Sequence, residues 1–494
     1  MITLGIDCGT QSTRTLAMDA ETGEVLAAAS QSYGLIEGLP DGHQEQHPRT
    51  WTDAAERTLT QVLGELGDRK GAVAAIGVSG QQHGFVALDA DGAVIRPAKL
   101  WCDTSTAPQC DQMRAHFGGR DALVALAGND LSPGFTAPKI LWLKQEEPEN
   151  YARLAHVLLP HDYLNYWLTG AMTMEYGDAS GTALMDIRQR EWCEPLCRFI
   201  DPGLLEKLPA LQSSQEKAGN LKPELAGKWG LGEHVVVSAG GGDNMMGAIG
   251  TGNTEPGRVT ASLGTSGTIF AYAADPVTDP YGEIAGFCDS TDAWLPLLCT
   301  MNVTVATEAL RHAFGLSLEA FNEQVAAVPP GADGLLLLPY LTGERVPNLP
   351  GATGVLHGMT PRNLTPGHLC RAAMEGVTLG MAYGLRRLER LGVETGEIRL
   401  IGGGSKSAVW RQLCADVFGC PVVPLASSEG AALGAAIQAL AAVNPGLATG
   451  EIAGRLVKVA ENQRCEPRED GFDYGALLEK QTTLSRHLAE GGYL

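Results

Sequence analysis

The sequence lacks the features that mark membrane-spanning, secreted and nucleic-acid-binding proteins. Its longest apolar stretch, around Ala431 to Val443, is too short to span a bilayer. The residues from Met1 to Asp7 include neither a basic segment nor the apolar core of a signal peptide. Only 36 residues are basic and 57 are acidic, and the formal charge of −21 repels nucleic acid and anionic membrane surfaces.

Cysteine usage gives no sign of a disulfide framework. The 11 cysteines form an odd and scattered set, which is typical of reduced thiols. Cys193 and Cys197 are close in the sequence, but no neighbouring cysteine or histidine completes a set of zinc ligands. We therefore expect a cytoplasmic protein without a structural zinc ion.

The common nucleotide-binding motifs are absent as well. The sequence has no GxxxxGK[ST] loop, no GxGxxG after a strand and no HRD-type catalytic loop. If the protein handles phosphate, it must use another arrangement, such as backbone N–H groups together with a metal ion.

What is present indicates a large α/β protein. At 494 residues the chain exceeds the size at which a single core stops growing, so we expect two domains. The 62 glycines follow no fixed period, which is typical of loop-rich α/β enzymes. A hinge near Gly250 to Pro256 predicts domains at 1–252 and 253–494.

The two predicted domains begin alike. Each begins with a strand, a glycine turn that carries hydroxyl groups, and a second strand, and the two copies are separated by about 255 residues. The segments are Leu4–Asp7, Gly9–Ser12 and Thr13–Asp19 in the first half, and Val259–Ser262, Gly264–Gly267 and Thr268–Tyr272 in the second. This repetition predicts a duplicated fold.

A second pair of segments supports the duplication. The predicted strand Ala74–Gly80 continues into the polar loop Gln81–Gly84, and the predicted strand Ile398–Ile401 continues into Gly402–Ser405. Ligands of open α/β sheets bind beyond the carboxyl ends of the strands. Two such halves predict a ligand-binding cleft between them.

Two helices are predicted in the second half. Thr365 and Pro366 predict the start of a long helix that continues to about Arg390. Trp410 and Val417 belong to one apolar face of another helix, which ends at Gly419.

The repeated glycine turns are candidate phosphate-binding sites. Glycine allows close backbone approach, hydroxyl groups donate hydrogen bonds, and an aspartate at the preceding strand end can hold hydrated Mg²⁺. The first turn offers Gly9, Thr10, Gln11 and Ser12 after Asp7, and the second offers Gly264, Thr265, Ser266 and Gly267. A plain hairpin whose aspartate caps the turn is the alternative, and the repetition favours paired phosphate clamps.

Asp243 is a candidate general base. The predicted strand Val235–Val237 leads through Gly240–Gly242 to Asp243 and Asn244, which places a carboxylate at a strand end. In phosphoryl transfer, one carboxylate that accepts a hydroxyl proton is a sufficient base. An Asx turn or a helix cap is the alternative for the same residue.

Polar side chains after the predicted strand Ala74–Gly80 are suited to a polyol. Gln82, His83 and Asp103 offer donors and acceptors, and Trp101 offers an apolar ring face. A histidine that is satisfied within the fold is the alternative interpretation of His83. In the second half, Gly402–Ser405 before a helix could let a nucleoside lie against the backbone, or could form an ordinary glycine-rich turn.

With these residues assembled, the sequence resembles the FGGY carbohydrate kinases over nearly its whole length. Gly134 to Glu146, with Lys139 and Trp142 at the marked positions, is similar to the first family signature. Gly354 to Met359 followed by His368 to Glu375 is similar to the second. The resemblance implies two duplicated actin-like (ribonuclease H-like) α/β domains with an active-site cleft between them.

Within that family the sequence is most similar to the xylulokinase group. The segments that carry this similarity are Gly80–Gly84, Trp101–Asp103, Pro133–Lys139, Leu158–Leu164 and Leu338–Arg345. The resemblance implies ATP-dependent phosphorylation of D-xylulose at its C5 hydroxyl, and it suggests a homodimer.

The resemblance also implies a role for each candidate residue. Asp243 would accept the proton of the C5 hydroxyl, and Asp7 would hold Mg²⁺ through water. The sugar would be bound by Gln82, His83, Asp103 and Asn244, the phosphates by Gly9 to Ser12 and Gly264 to Gly267, and the adenosine by Gly403, Gly404 and Ser407.

Three alternative functions stay open at this point. Glycerol kinases have an Arg-Glu pair at the polyol loop, where this sequence has Gln82 and His83. Kinases of D- or L-ribulose act on sugars that differ from xylulose in one hydroxyl direction, and residues that the sequence cannot place decide between them. A nucleotide-dependent sugar sensor without turnover would be expected to lack the base, whereas Asp243 is present.

Overall fold

The computed structural model describes residues 1–427, 429–468 and 471–494, which form two compact units. The segments of the first unit are Met1–Glu255, Tyr272–Leu295 and Glu429–Val457, and those of the second are Pro256–Ala271, Pro296–Ser428 and Lys458–Leu494. The first unit thus includes segments from both sides of residue 252. The predicted domains at 1–252 and 253–494 stay a prediction.

A mixed sheet forms the centre of the first unit. Its main strands run in the order Val25–Ser32, Ser12–Asp19, Ile2–Cys8, Val73–Gly80 and Val236–Ser238. Neighbours among the first three strands are antiparallel, and the last three strands are parallel to one another. Lys217–Asn220 extends the sheet beyond Val236–Ser238, and Gly241–Gly242 pairs with the end of Val73–Gly80.

A second mixed sheet repeats this arrangement. Five of its strands run in the order Trp294–Thr300, Gly267–Ala271, Gly257–Leu263, Thr395–Ile401 and Val422–Pro424. Their directions match those of the first sheet, with antiparallel pairs followed by parallel ones. The predicted duplication of an α/β fold is confirmed, and the two predicted hairpins are the first two strands of each copy.

The helix Gly430–Ala442 packs directly on the first sheet. A Cβ atom on Gly5 would lie 1.9 Å from the carbonyl oxygen of Ala432, and one on Gly77 would lie 2.0 Å from that of Ala435. Real Cβ atoms cannot approach so closely, so only glycine at both strand positions allows this contact. A chain segment that is remote in sequence thereby becomes part of the core behind the strand ends.

The remaining elements surround these sheets. The other helices of the first unit are Pro48–Leu66, Ala107–Phe117, Arg120–Ala127, Thr136–Glu146, Pro148–Arg153, Pro160–Thr169, Tyr176–Ala179, Glu194–Ile200, Pro223–Trp229, Asp243–Thr251 and Thr449–Leu456. Those of the second unit are Thr304–Ala313, Leu318–Ala326, Pro366–Arg390, Ala408–Phe418 and Tyr474–Glu490. The short strands are Glu45–Gln46, Val86–Leu88, Ala98–Lys99, His156–Leu158, Thr173–Glu175, Met185–Asp186, Glu191–Trp192, Ala210–Gln212, Ala285–Cys288, Leu336–Leu338 and Val355–His357.

Both predicted helices of the second half are confirmed. Pro366–Arg390 begins after Thr365, whose hydroxyl accepts a hydrogen bond from the His368 N–H group. Ala408–Phe418 ends at Gly419, which has a left-handed backbone (φ 71°). Within the described ranges, no helix combines the length and apolar character that crossing a membrane requires.

Candidate active site

Asp7 and Asp243 lie at strand ends on either side of the strand Val73–Gly80 in the first unit. Asp7 is the penultimate residue of Ile2–Cys8, and its Oδ1 accepts a hydrogen bond of 2.8 Å from the hydroxyl of Ser79 on the adjacent strand. Burial raises the pKa of Asp7, while the Ser79 hydrogen bond and the charge of Arg14 act in the opposite direction. For Asp7 the effect of burial thus outweighs that of the neighbouring hydroxyl and guanidinium groups.

Asp243 begins the helix Asp243–Thr251. Its carboxylate does not cap this helix, because the N-cap position belongs to Gly242 and carries no side-chain hydrogen bond. Burial raises the pKa of Asp243 to about 8, and the negative charges of Asp7 and Asp178 add to the shift. Asp243 thus lies one residue inside the helix, and a pKa near neutrality is what a general base needs, so its role as the base stays a prediction.

The loop that precedes Asp243 is held by a buried amide that the sequence analysis missed. The Gln438 side chain accepts a hydrogen bond from the Gly240 N–H group at 2.9 Å and donates one to the Gly240 carbonyl at 2.9 Å. Its amide also accepts from the Ser238 hydroxyl and donates to the Ser214 carbonyl. Gln438 therefore fixes both sides of a residue whose φ of 75° requires left-handed backbone.

Asn244 and Gln82 lie beside the candidate base. The Asn244 side-chain amide donates to Asp243 Oδ1 at 3.0 Å and to Gln82 Oε1 at 2.7 Å. The buried Nε2 atom of Gln82 has no hydrogen-bond partner among the described residues. A buried donor without an acceptor is costly, and a substrate hydroxyl would satisfy it.

His83 adopts an uncommon conformation. Its φ is 62°, in the left-handed region that residues other than glycine seldom occupy. The imidazole lies 4.9 Å from the Phe135 ring and 5.5 Å from the Phe287 ring, measured between centroids. A Cβ atom on Gly181 would come within 2.1 Å of the imidazole, so that glycine leaves room for it. Such strain is common at ligand-binding loops.

Asp103 contacts Lys99, Ser105 and the Gln44 backbone, whereas Asp243 contacts Asn244. Both carboxylate oxygens of Asp103 are engaged: Oδ1 accepts from the backbone and hydroxyl of Ser105, and Oδ2 accepts from the Gln44 N–H group and Lys99 Nζ. Burial alone would raise the pKa of Asp103, but these donors lower it overall. The role of Asp103 in sugar binding stays a prediction.

Asp103, His43 and Glu45 are close enough together to hold a metal ion. The ammonium of Lys99 already lies among them, 3.1 Å from Asp103, 3.2 Å from His43 and 3.2 Å from Glu45. It also lies 3.9 Å from the centroid of the Trp142 ring. The cluster is therefore neutralised by a protein cation.

Side chains of neighbouring segments hold the backbone of the first glycine turn. The Tyr33 hydroxyl donates to the Gly9 carbonyl at 2.7 Å, and Gln46 Nε2 donates to the Thr10 carbonyl at 2.6 Å. The Thr10 hydroxyl donates to Gln81 and accepts from the Trp101 ring N–H. Gln11 is exposed and Ser12 half-buried. Thr10 thus anchors the turn, the Gly9 N–H group donates to the Ser12 carbonyl, and the Gln11 side chain is exposed to solvent.

A buried histidine lies between two carboxylates near the polar loop Gln81–Gly84. His161 Nδ1 is 2.7 Å from Asp178 Oδ2, and its Nε2 is 2.9 Å from Asp162 Oδ1. Burial opposes the charge on His161, yet the two carboxylates raise its pKa well above the usual range. The sequence analysis assigned no role to Asp178, whose charge reaches Asp243.

The second glycine turn is held by the segment that follows Thr300. The backbone N–H groups of Val303 and Thr304 donate to the carbonyls of Thr265 and Gly264. Glu344 in turn accepts hydrogen bonds from the Met301 N–H group and from the Asn302 side chain. Thr265 and Ser266 are exposed, so their side chains are accessible while their backbone is fixed.

One of the predicted adenosine residues, Ser407, contacts a residue that lines a groove in the second unit. Gly403 and Gly404 begin a short 3₁₀ turn, and Ser407 caps the next helix by accepting from the Trp410 N–H group. The Ser407 hydroxyl also donates to Asn322 Oδ1 at 2.8 Å. The groove has a volume of about 590 Å³ and is lined by Leu318, Glu319, Asn322, Glu323, Ala326 and Val409.

Comparison with known proteins identifies the family. The model of the N-terminal domain of the FGGY family of carbohydrate kinases matches residues 2–250, and that of the C-terminal domain matches residues 259–443. The chain belongs to the FGGY family of carbohydrate kinases. It is therefore a sugar kinase, and its family implies ATP as the phosphoryl donor. The fold inferred from the sequence resemblance is confirmed.

Several relatives of this chain are xylulose kinases. The chain is 43% identical to a xylulose kinase of Haemophilus influenzae, over 88% of this chain and 90% of the relative. It is 37% identical to a xylulose kinase of Bacillus subtilis, over 88% and 87%. The crystal structure of a xylulose kinase from Bifidobacterium adolescentis superposes with a TM-score of 0.85 at 31% identity, covering 98% and 99% of the two chains.

Proposed function

We propose that the protein transfers the γ-phosphoryl group of ATP to the C5 hydroxyl of D-xylulose and releases D-xylulose 5-phosphate and ADP. The similarity to xylulose kinases over most of the chain supports this substrate. The observation that carries the chemistry is Asp243, a half-buried carboxylate whose pKa is raised to about 8 and which lies beside two amide side chains.

In the proposed reaction, Asp243 accepts the proton of the C5 hydroxyl as the new O–P bond forms. The bond from the γ-phosphorus to the bridging oxygen breaks, and ADP leaves with that electron pair. Asn244 orients the carboxylate of Asp243 through its hydrogen bond. The free Nε2 donor of Gln82 and the imidazole of His83 hold the sugar hydroxyls. These groups act mainly by positioning, which is how most phosphoryl transfer is accelerated.

The first unit is suited to a magnesium ion. The pKa values of Asp7, Asp178 and Asp243 are all raised by burial, and the charges of Asp7 and Asp178 raise that of Asp243 further, so added positive charge would be favourable. Oxygen ligands of this kind are those that Mg²⁺ prefers. Asp7 would hold the ion through water, and the bound ion would neutralise charge on the phosphates.

We expect nucleotide contacts in each unit, at the glycine turn of the first unit, and at the glycine turn and the groove beside Ser407 of the second. The glycine turns Gly9 to Ser12 and Gly264 to Gly267 would lie against the phosphates. Thr265 and Ser266 would add exposed hydroxyls. The adenosine would lie against Gly403 and Gly404, in the groove that Asn322 lines.

We further propose a cytoplasmic location and a homodimer. All 11 cysteines are free thiols, which supports a reducing compartment. Sedimentation of the purified protein would test the dimer, and a monomer over the working concentration range would contradict it.

The substrate is tested by ADP release with MgATP against D-xylulose, D-ribulose, L-ribulose, L-xylulose and glycerol. We expect the highest kcat/KM on D-xylulose, with phosphate attached at C5 in the product. A higher kcat/KM on another sugar would overturn the proposed substrate while leaving the kinase chemistry in place. Binding of both substrates without ADP formation would overturn the proposed catalysis.

A further inference from the structure

Lys139 is a fully buried lysine whose ammonium meets backbone rather than a carboxylate. It lies in the helix Thr136–Glu146 and has no exposed surface. Its Nζ atom donates to the carbonyl oxygen of His83 at 2.7 Å and to that of Gly134 at 2.5 Å. Burial lowers the pKa of Lys139 to about 7. Keeping such a group in the core is costly, so it needs an explanation.

The hydrogen bond to the His83 carbonyl explains why a lysine is kept at this buried position. His83 has left-handed backbone, and its carbonyl is directed into the protein interior, where Thr136 Oγ1 also donates to it at 3.3 Å. Without these donors a buried carbonyl would lack its partners, and the strained conformation would be held only on the side of the His83 N–H group, by Asp178. The first turn of this helix thus holds the backbone of His83 in the loop Gln81–Gly84.

The side chain of His83 is fixed separately from its backbone. The rings of Phe135 and Phe287 contact the imidazole, and Gly181 leaves room for it. Phe135 immediately precedes the helix that carries Lys139, so the same segment restrains both the ring and the backbone of His83. The imidazole can keep one direction only while the backbone conformation is held.

We propose that Lys139 is a positioning residue for sugar recognition, which acts by holding the His83 backbone in its left-handed conformation. This inference rests on the proposed sugar-binding role of His83. Lys139 itself touches neither the sugar nor the nucleotide. Its removal weakens sugar binding selectively, because the two glycine turns and the Asp243 loop are held by other residues.

The chain offers a matched control on the same helix. Lys144 Nζ donates to the Ile200 carbonyl at 2.6 Å and to Asp201 at 2.8 Å, so it also anchors a loop through a backbone oxygen. That loop contains none of the candidate site residues. Lys144→Met should therefore reproduce a general loss of stability without changing recognition of the sugar.

The test compares Lys139→Met, Lys144→Met and the parent enzyme in steady-state kinetics with MgATP and the best sugar of the panel. We expect Lys139→Met to raise the KM for the sugar by about tenfold to a hundredfold, because the His83 carbonyl would keep only the 3.3 Å hydrogen bond from Thr136. The KM for ATP should stay within about twofold. Lys144→Met should leave both KM values within the same range.

Two results would overturn the inference. One is an unchanged KM for the sugar in folded Lys139→Met, and the other is an equal rise in the KM values for sugar and ATP. If Lys139→Met does not fold, Thr136→Val removes the second donor to the same carbonyl, and its KM for the sugar must rise selectively by a smaller factor. A parent enzyme that phosphorylates no sugar of the panel would contradict the proposed function itself.

Discussion

The substitution Asp243→Asn should stabilise the folded protein while removing its activity. The pKa of Asp243 is about 8 in the folded chain, against 3.8 for an ordinary aspartate. A carboxyl group whose pKa is raised by folding favours the folded state when protonated. Its contribution is fully present below pH 3.8 and is lost as the pH rises through 8. Asparagine has a similar shape and no charge, so it avoids this loss.

The magnitude follows from the two pKa values. One pKa unit corresponds to about 1.4 kcal/mol, so a shift from 3.8 to about 8 amounts to about 6 kcal/mol in all. At pH 7 the part already lost is about 4 kcal/mol. The stability difference between Asp243→Asn and the parent should therefore increase by roughly 1 kcal/mol for each pH unit between pH 5 and 8.

Urea denaturation of both proteins at pH 5, 6, 7 and 8, without nucleotide and with a chelator, measures this difference. Asp103→Asn is the control of opposite sign, because the pKa of Asp103 is lowered and its ionised form stabilises the fold. Asp103→Asn should destabilise the protein at every pH of the series. A stability difference for Asp243→Asn that stays constant across the series, or that becomes negative at pH 8, would refute the reasoning.

Three further substitutions test the residues that hold the loops. Gln438→Leu should lower kcat about tenfold or more with little change in either KM. Gln481 is the control, because its buried side-chain amide donates to the carbonyls of Leu337 and Gly376. Gln481→Leu should affect stability alone. Glu344→Gln should raise the KM for ATP about tenfold and leave the sugar KM unchanged, because it loosens the second glycine turn. Gly181→Ala should raise the sugar KM, because its methyl group would displace the His83 imidazole. Steady-state kinetics measures each effect. A large change in either KM would contradict the prediction for Gln438→Leu. A changed sugar KM would contradict that for Glu344→Gln, and a changed ATP KM that for Gly181→Ala.

The strands and turns of both halves were predictable from local sequence. Ile2–Cys8 and Gly257–Leu263 are apolar runs bounded by glycine turns, and such patterns depend on neighbours in the chain. The duplication followed because the same pattern occurs twice. The end of the helix at Gly419 was predictable for the same reason, since glycine readily adopts left-handed backbone.

The contacts between remote segments were not predictable. Helical spacing shows that Gln438 and Lys139 lie in helices, but not which backbone carbonyl each one meets. Asp178 lies in a short helix without any sequence pattern of its own, and only folding brings it to His161. The sequence left the role of Asp243 open between a cap and a base, because that choice depends on burial and on neighbouring charges.

The most direct test of Asp243 as the general base is a comparison of Asp243→Asn with the parent enzyme on D-xylulose and MgATP. Because a positioned base contributes about 10²-fold to 10⁴-fold, kcat should fall by at least 10²-fold. Binding of D-xylulose to the variant, measured by calorimetry, should stay within about tenfold of the parent. Loss of kcat with retained binding is the result that we predict, whereas a variant that binds the sugar and keeps more than a tenth of the parent kcat would contradict the account.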